Sequence, residues 1–214
     1  MSNQIARFSI IASVLTLLLL VSLNILSPEF DPAWRMVSEY ANGNYGWVLS
    51  LFFACWGIST WALAYAIWSE PKTKSGRIGL YFLIAAGIGE VMAAFFDINH
   101  SLHSLASFIG IPSLAIAAML ISRSLVKEEA WASVKKNLLL SANLTWISIL
   151  LMAISFVVLM VTFTQSGAEM PTDSTTVTAL PAGVIGLVGW ANRLLIIVYN
   201  AWVIFVAKHS IKIN

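Results

Sequence analysis

Six apolar runs decide what this chain can fold into. They cover residues 8–25, 47–68, 78–96, 105–121, 138–163 and about 182–206, and short polar segments separate them. Each is long enough to cross a hydrocarbon core of ~30 Å as a helix. Lipid offers the backbone no hydrogen-bonding partner, so a spanning segment must be a helix or part of a closed barrel. A barrel would show ~10-residue segments of alternating polarity, and this sequence has none. Only 10% of the 214 residues are charged, against about 25% in a soluble domain, too few to cover a surface facing water. The expectation is an all-α, polytopic membrane protein: one domain over 1–214, six helices in one bundle. The first run is longer than the ~7–15-residue core of a signal peptide and lacks a small-residue cleavage motif, so it reads as a retained span.

The charges between runs set an orientation. Arg7 precedes the first run; Lys72, Lys74 and Arg77 follow the second; Arg123, Lys127, Lys135 and Lys136 follow the fourth; Lys208 and Lys212 follow the sixth. The alternate segments carry Glu29, Asp31, Glu39, Asp97, Glu169 and Asp173, with Arg35 as their one base. By the positive-inside rule both termini are expected in the cytoplasm of a cell-membrane protein. Trp47, Trp68, Trp131 and Trp190 stand where an aromatic belt is expected. The first outer loop, 27–46, holds Pro28, Pro32, Gly43 and Gly46 and has the turn residues to fold as a cap; the third, 164–181, reads as flexible. A net charge of +2 gives no reason to expect a nucleic-acid partner, and the single cysteine, Cys55, rules out a disulfide framework or a cysteine metal cluster. The expected partners are membrane lipids and a small polar ligand, with no cofactor, and the oligomeric state is not legible.

Polar residues inside the runs are the candidates for function. Ser9, Ser13, Thr16 and Asn24 share one helical face, as do Ser141, Thr145, Ser148, Ser155 and Thr162. Interhelical hydrogen bonding is their expected role, with a lined polar cavity as the alternative. Glu90 and Arg193 are costlier, since a charge at mid-membrane is disfavoured by at least ~2.5–3.5 kcal/mol. Arg193 is therefore expected to pair with Glu90, Asp97 or Glu39, or else to snorkel to the interface. Asp97, His100 and His103 form an i, i+3, i+6 series that partly shares a face if the turn is helical. Such a series suits zinc ligation, general-base chemistry, pH sensing or a hydrogen-bonded cap.

Three motifs in order, Arg35-x-x-Ser38-Glu39-Tyr40, Asp97 with His103, and Gly186-Leu-Val-Gly-Trp-Ala-Asn-Arg193 with Trp202, resemble a prokaryotic membrane family catalogued as domain of unknown function 998. Asn192 stands where an acid commonly precedes the arginine, and Phe-Phe precedes Asp97 in place of phenylalanine-proline. The resemblance implies six helices and a shared outer polar cluster, and no activity. The reading favoured is an outward-facing polar site between the outer loops and helices 3 and 6, built from Arg35, Ser38, Glu39, Tyr40, Glu90, Asp97, His103 and Arg193, that binds a small polar ligand or lipid headgroup. One alternative is a metal-dependent membrane hydrolase of the alkaline-ceramidase type, with Asp97, His100 and His103 as metal ligands and Ser38 beside them. His209, the third histidine, is expected across the bilayer, so a carboxylate such as Glu39 would have to complete that set. Another alternative is a small transporter or channel, for which neither repeats nor broken helices speak beyond Gly110 and Pro112.

Overall fold

Long apolar runs with few β-branched clusters and no interior breaker other than Pro112 become six helices in the computed structural model, which describes residues 2–168 and 178–213. They are α1 (Ser2–Leu26), α2 (Gly46–Ala66), α3 (Lys74–Phe95), α4 (His103–Leu125), α5 (Lys135–Gln165) and α6 (Val188–Ile213). All six are long and apolar enough to cross a membrane, which is the build of a multi-pass membrane protein. Two short 3₁₀ segments, Val37–Asn42 and Glu129–Val134, lie in the connections. No strand occurs among the described residues. Glu169 and Asp173, with the rest of 169–177 in the 164–181 segment read as flexible, lie outside the described residues.

Successive helices run antiparallel, giving the bundle two ends. The loop end carries 27–45 and 96–102, and the terminal end carries both termini with 67–73 and 126–134. α1 packs on α2 and α6, α2 on α3, α3 on α4, and α5 on α6. α5 is peripheral: its buried residues are Leu138, Ala142, Thr145, Ser148 and Ser155, and most of its other side chains face outward. The outward faces are apolar, with Ile11, Ile25, Phe95, Phe108 and Ile154 more than half exposed. In water that surface would be untenable; in lipid it is the solvated one.

Local chemistry explains the helix ends. Thr73 caps α3 by accepting from the Gly76 N–H at 3.1 Å. α6 begins at Val188, later than the residue 182 expected from composition. Pro181 and Gly183, whose φ of +85° is left-handed, form a turn there. The helix starts only where the Ala33 carbonyl can accept from the Gly189 and Trp190 N–H groups at 2.9 and 3.3 Å. Those donors have no partner within the helix itself.

The hydroxyl stripe on α1 does what small polar residues usually do between membrane helices. Ser9 donates to the Ser59 carbonyl at 2.8 Å and Ser13 to the Ser59 hydroxyl at 3.2 Å. On α5 the hydroxyls of Ser141, Thr145, Ser148, Ser155 and Thr162 bond carbonyls of their own helix. Trp131 corrects the belt expectation. Whereas Trp47, Trp68 and Trp190 are exposed, Trp131 is fully buried, because its 3₁₀ turn folds under the bundle against the His209 ring at 4.5 Å.

Candidate functional site

The loop at 27–45 folds back over the bundle, and one arginine holds it there. Arg193, on the first turns of α6, is 3% exposed. Its Nε donates to Asn24 Oδ1 at 3.0 Å. Its Nη1 reaches the carbonyls of Arg35, Gly189 and Pro32 at 2.8, 3.0 and 3.2 Å. Its Nη2 donates to the Tyr40 hydroxyl at 2.8 Å, and that hydroxyl donates to Asn24 Oδ1 at the same distance. The guanidinium also lies 5.6 Å from the Tyr40 ring centroid and 6.0 Å from that of Trp190.

This corrects the expectation that Arg193 pairs with Glu90, Asp97 or Glu39. A planar group with five donors is neutralised by a ring of oxygens as well as by one carboxylate, and irregular backbone supplies oxygens with unused lone pairs. Gly189 makes the approach possible, since a Cβ at that position would lie 2.6 Å from the Arg35 carbonyl oxygen. Burial pushes the Tyr40 phenol above its ordinary value of 10.0, against the opposing pull of Arg193.

The remaining loop residues lock the same clasp. Arg35 pairs with Glu39 at 2.5 Å, the one ion pair among the described residues. The other Glu39 oxygen accepts from the Met36 N–H at 2.8 Å. The Arg35 guanidinium lies 4.2 Å from the Trp34 ring centroid. The Val37 N–H donates to Asn192 Oδ1 at 3.0 Å, tying loop to α6 a second time. Asn192 thus works as a neutral acceptor at the position where the resembled pattern has an acid.

Beneath this roof lies a cavity of about 590 Å³, within the ~300–1,000 Å³ usual for small-molecule sites. Met36, Val37 and Ser38 form its top, Phe53 and Trp56 of α2 one wall, and Glu90 of α3 another. α4 supplies His103, Ser107 and Ile111, α5 supplies Met152, and α6 supplies Asn192, Leu195 and Tyr199. Most of this lining is apolar. Glu90 is 5% exposed, and its Oε2 accepts from the Thr60 hydroxyl at 2.7 Å. The Trp56 indole N–H, also buried, has no acceptor among the described residues. Tyr199 donates its hydroxyl to the Ile111 carbonyl at 2.8 Å, next to Pro112. Two glycines set the depth of the cavity: a Cβ on Gly89 would run into the main chain of Gly110, so α3 and α4 touch backbone to backbone beside Glu90. Ser104 and Phe108 are the exposed lining residues, so the cavity opens along the outward face of α4.

The structure therefore splits the expected polar cluster in two. Arg35, Glu39, Tyr40 and Arg193 make the clasp, while Ser38, Glu90 and His103 line the cavity. Asp97 joins neither: it is exposed, and its Oδ1 accepts from the Asn99 N–H at 2.9 Å. His100 Nδ1 accepts from the Leu102 N–H at 3.1 Å, and His103 Nδ1 bonds the Phe96 carbonyl at 2.8 Å. Each of the three closes its own stretch of the 96–103 turn, and no set of three metal-ligating side chains forms among the described residues. That turn meets the loop through Asn99 and Asn42, at 2.9 Å.

Sequence reading passes over Trp56, Met152 and Tyr199 because they sit in apolar runs, where such residues normally fill a core. A model of a family described as "Protein of unknown function (DUF998)" matches residues 10–209. No curated protein matches the chain, and no solved structure does.

Proposed function

The chain belongs to the family of proteins of unknown function DUF998, and we propose that it is a binding protein whose cavity, under the 27–45 loop, takes a small amphipathic molecule from the membrane. The single observation that carries this reading is the makeup of the cavity. Apolar walls from five helices surround a few polar groups, Ser38, Glu90, His103 and Asn192, and the mouth at Ser104 and Phe108 lies on the outward face of the bundle. A purely polar ligand would leave most of that lining unsolvated, and a plain hydrocarbon would leave the Glu90 carboxyl with the Thr60 hydroxyl alone and the Trp56 N–H without a partner. An amphiphile satisfies both. The clasp supports the same reading as the rigid roof of the site.

We propose that both termini face the cytoplasm and that the cavity lies in the outer half of a prokaryotic cell membrane, an orientation that the basic residues at the terminal end support through the positive-inside rule. A reporter fused after Asn42 would then read external, and one after Lys127 cytoplasmic. The hydrolase reading draws nothing from the turn at 96–103, where Asp97, His100 and His103 serve local backbone bonds.

Native mass spectrometry after gentle extraction tests the proposal. The wild-type chain is expected to carry a co-purifying amphiphile, and Ser107→Phe, which places a ring in the cavity, is expected to lose it. A bare wild-type chain, or an adduct unchanged in Ser107→Phe, would sink the reading.

A further inference from the structure

Glu90 is the one carboxyl group in the cavity lining, which contains no lysine or arginine. Among the described residues no base forms an ion pair with it, the one ion pair there being Arg35 with Glu39, up in the clasp. His103 is the one basic side chain that faces the same space, and its Nδ1 is engaged by the Phe96 carbonyl. Thr60 gives Glu90 a hydroxyl, and Tyr199 turns its hydroxyl away to the Ile111 carbonyl. An intramembrane carboxyl is costly to keep and normally has a partner. Three aromatic rings stand on the same cavity. Trp56 meets Tyr199 edge to face at 6.2 Å between centroids, and Phe53 lies parallel to Trp56 at 6.4 Å. Aromatic rings grouped around a carboxyl recognise organic cations through their ring quadrupoles and one opposite charge.

Resting on the reading that the cavity holds an amphiphile, we infer that its ligand is a lipophilic organic cation, an amine or quaternary ammonium, held by Glu90 with Phe53, Trp56 and Tyr199. An ammonium could also come from a zwitterionic phospholipid headgroup, but the phosphate attached to that headgroup would meet no lysine or arginine in the lining, only the His103 imidazole, whose Nδ1 already bonds the Phe96 carbonyl. The chemistry therefore favours a cation without a phosphate.

The test uses the full chain in neutral detergent, with two probes of one shape and opposite charge, tetraphenylphosphonium and tetraphenylborate, followed by equilibrium dialysis. Tetraphenylphosphonium is expected to saturate one site per chain, unchallenged by tetraphenylborate or by short-chain phosphatidylcholine. Glu90→Gln should weaken it at least ~10-fold, as loss of a buried counter-charge does. Phe53→Leu, at a half-buried position that tolerates the change, should weaken it roughly 2- to 10-fold through the lost ring. Both variants are first checked for a wild-type unfolding midpoint, and if Glu90→Gln fails that check Phe53→Leu decides alone. Equal binding of both probes, competition by phosphatidylcholine, or cation binding indifferent to the decisive variant would overturn the cation assignment. If no probe binds while the native adduct is present and is lost in Ser107→Phe, the cation falls and the amphiphile cavity stands. If neither probe nor adduct is found, both fall.

Discussion

Arg193→Met removes the guanidinium at the centre of the clasp while keeping an unbranched apolar stem. In the wild type the guanidinium reaches five oxygens between 2.8 and 3.2 Å. Two of these lose little: the Gly189 carbonyl lies in the helix, and Asn24 still receives the Tyr40 hydroxyl. The main-chain carbonyls of Pro32 and Arg35 are left without that donor in a buried place, at about 1–3 kcal/mol each, and the Tyr40 oxygen loses its charged donor. Relief of the buried guanidinium offsets part of this, for a net loss of about 3 kcal/mol. For a chain of this size that corresponds to a fall in unfolding midpoint of roughly 6–12 °C. Thermal unfolding of the detergent-purified protein, followed by tryptophan fluorescence, measures it. Tyr40→Phe should couple non-additively with Arg193→Met, because the two side chains share one hydrogen bond, whereas Glu90→Gln should add simply. A midpoint unchanged within about 2 °C, or coupling to Glu90 in place of Tyr40, would refute the clasp.

Three further outcomes follow from the same geometry. Gly189→Ala should lower the unfolding midpoint and raise proteolysis of the 27–45 loop, because the new Cβ meets the Pro32 and Arg35 carbonyls; a wild-type proteolysis pattern would contradict it. The Tyr40 phenol is raised by burial above its ordinary 10.0, so its share of stability is complete below pH 10 and is lost as pH climbs through the folded-state value. Tyr40→Phe should accordingly flatten the alkaline fall in unfolding midpoint above pH 10, and an unchanged slope would count against it. Chelation should leave the midpoint where it is and metal analysis should find no stoichiometric zinc, since Asp97, His100 and His103 are bound to neighbouring backbone; one zinc per chain would revive the hydrolase.

Run length alone makes the helix count legible, because a span in lipid needs about 20 apolar residues and little else can satisfy its backbone. The start of the sixth helix is hidden, since Ala182 to Leu187 is apolar and only Pro181 and Gly183 betray the turn. Partner choice for Arg193 is hidden for a different reason. Matching charge to charge points to carboxylates, yet the donors are met by carbonyls of an irregular segment about 160 residues earlier in the chain, and no residue type announces a free carbonyl. Trp131 reads as a belt residue from its position and turns out to be core, because the 3₁₀ turn that carries it folds inward. Glu90 stands out from the sequence as a charge in an apolar run. The rings around it do not, because Phe53, Trp56 and Tyr199 are ordinary members of their spans until α2 and α6 meet across the cavity.

An electron cryomicroscopy map of the protein in nanodiscs made from its native lipids would look directly into the space between α2, α3, α4 and α6. The account predicts density for a bound amphiphile that enters past Ser104 and Phe108 and ends against Glu90 under a closed 27–45 loop. A cavity collapsed onto Met152 and Leu195, or one holding nothing but water beside Glu90, would contradict it.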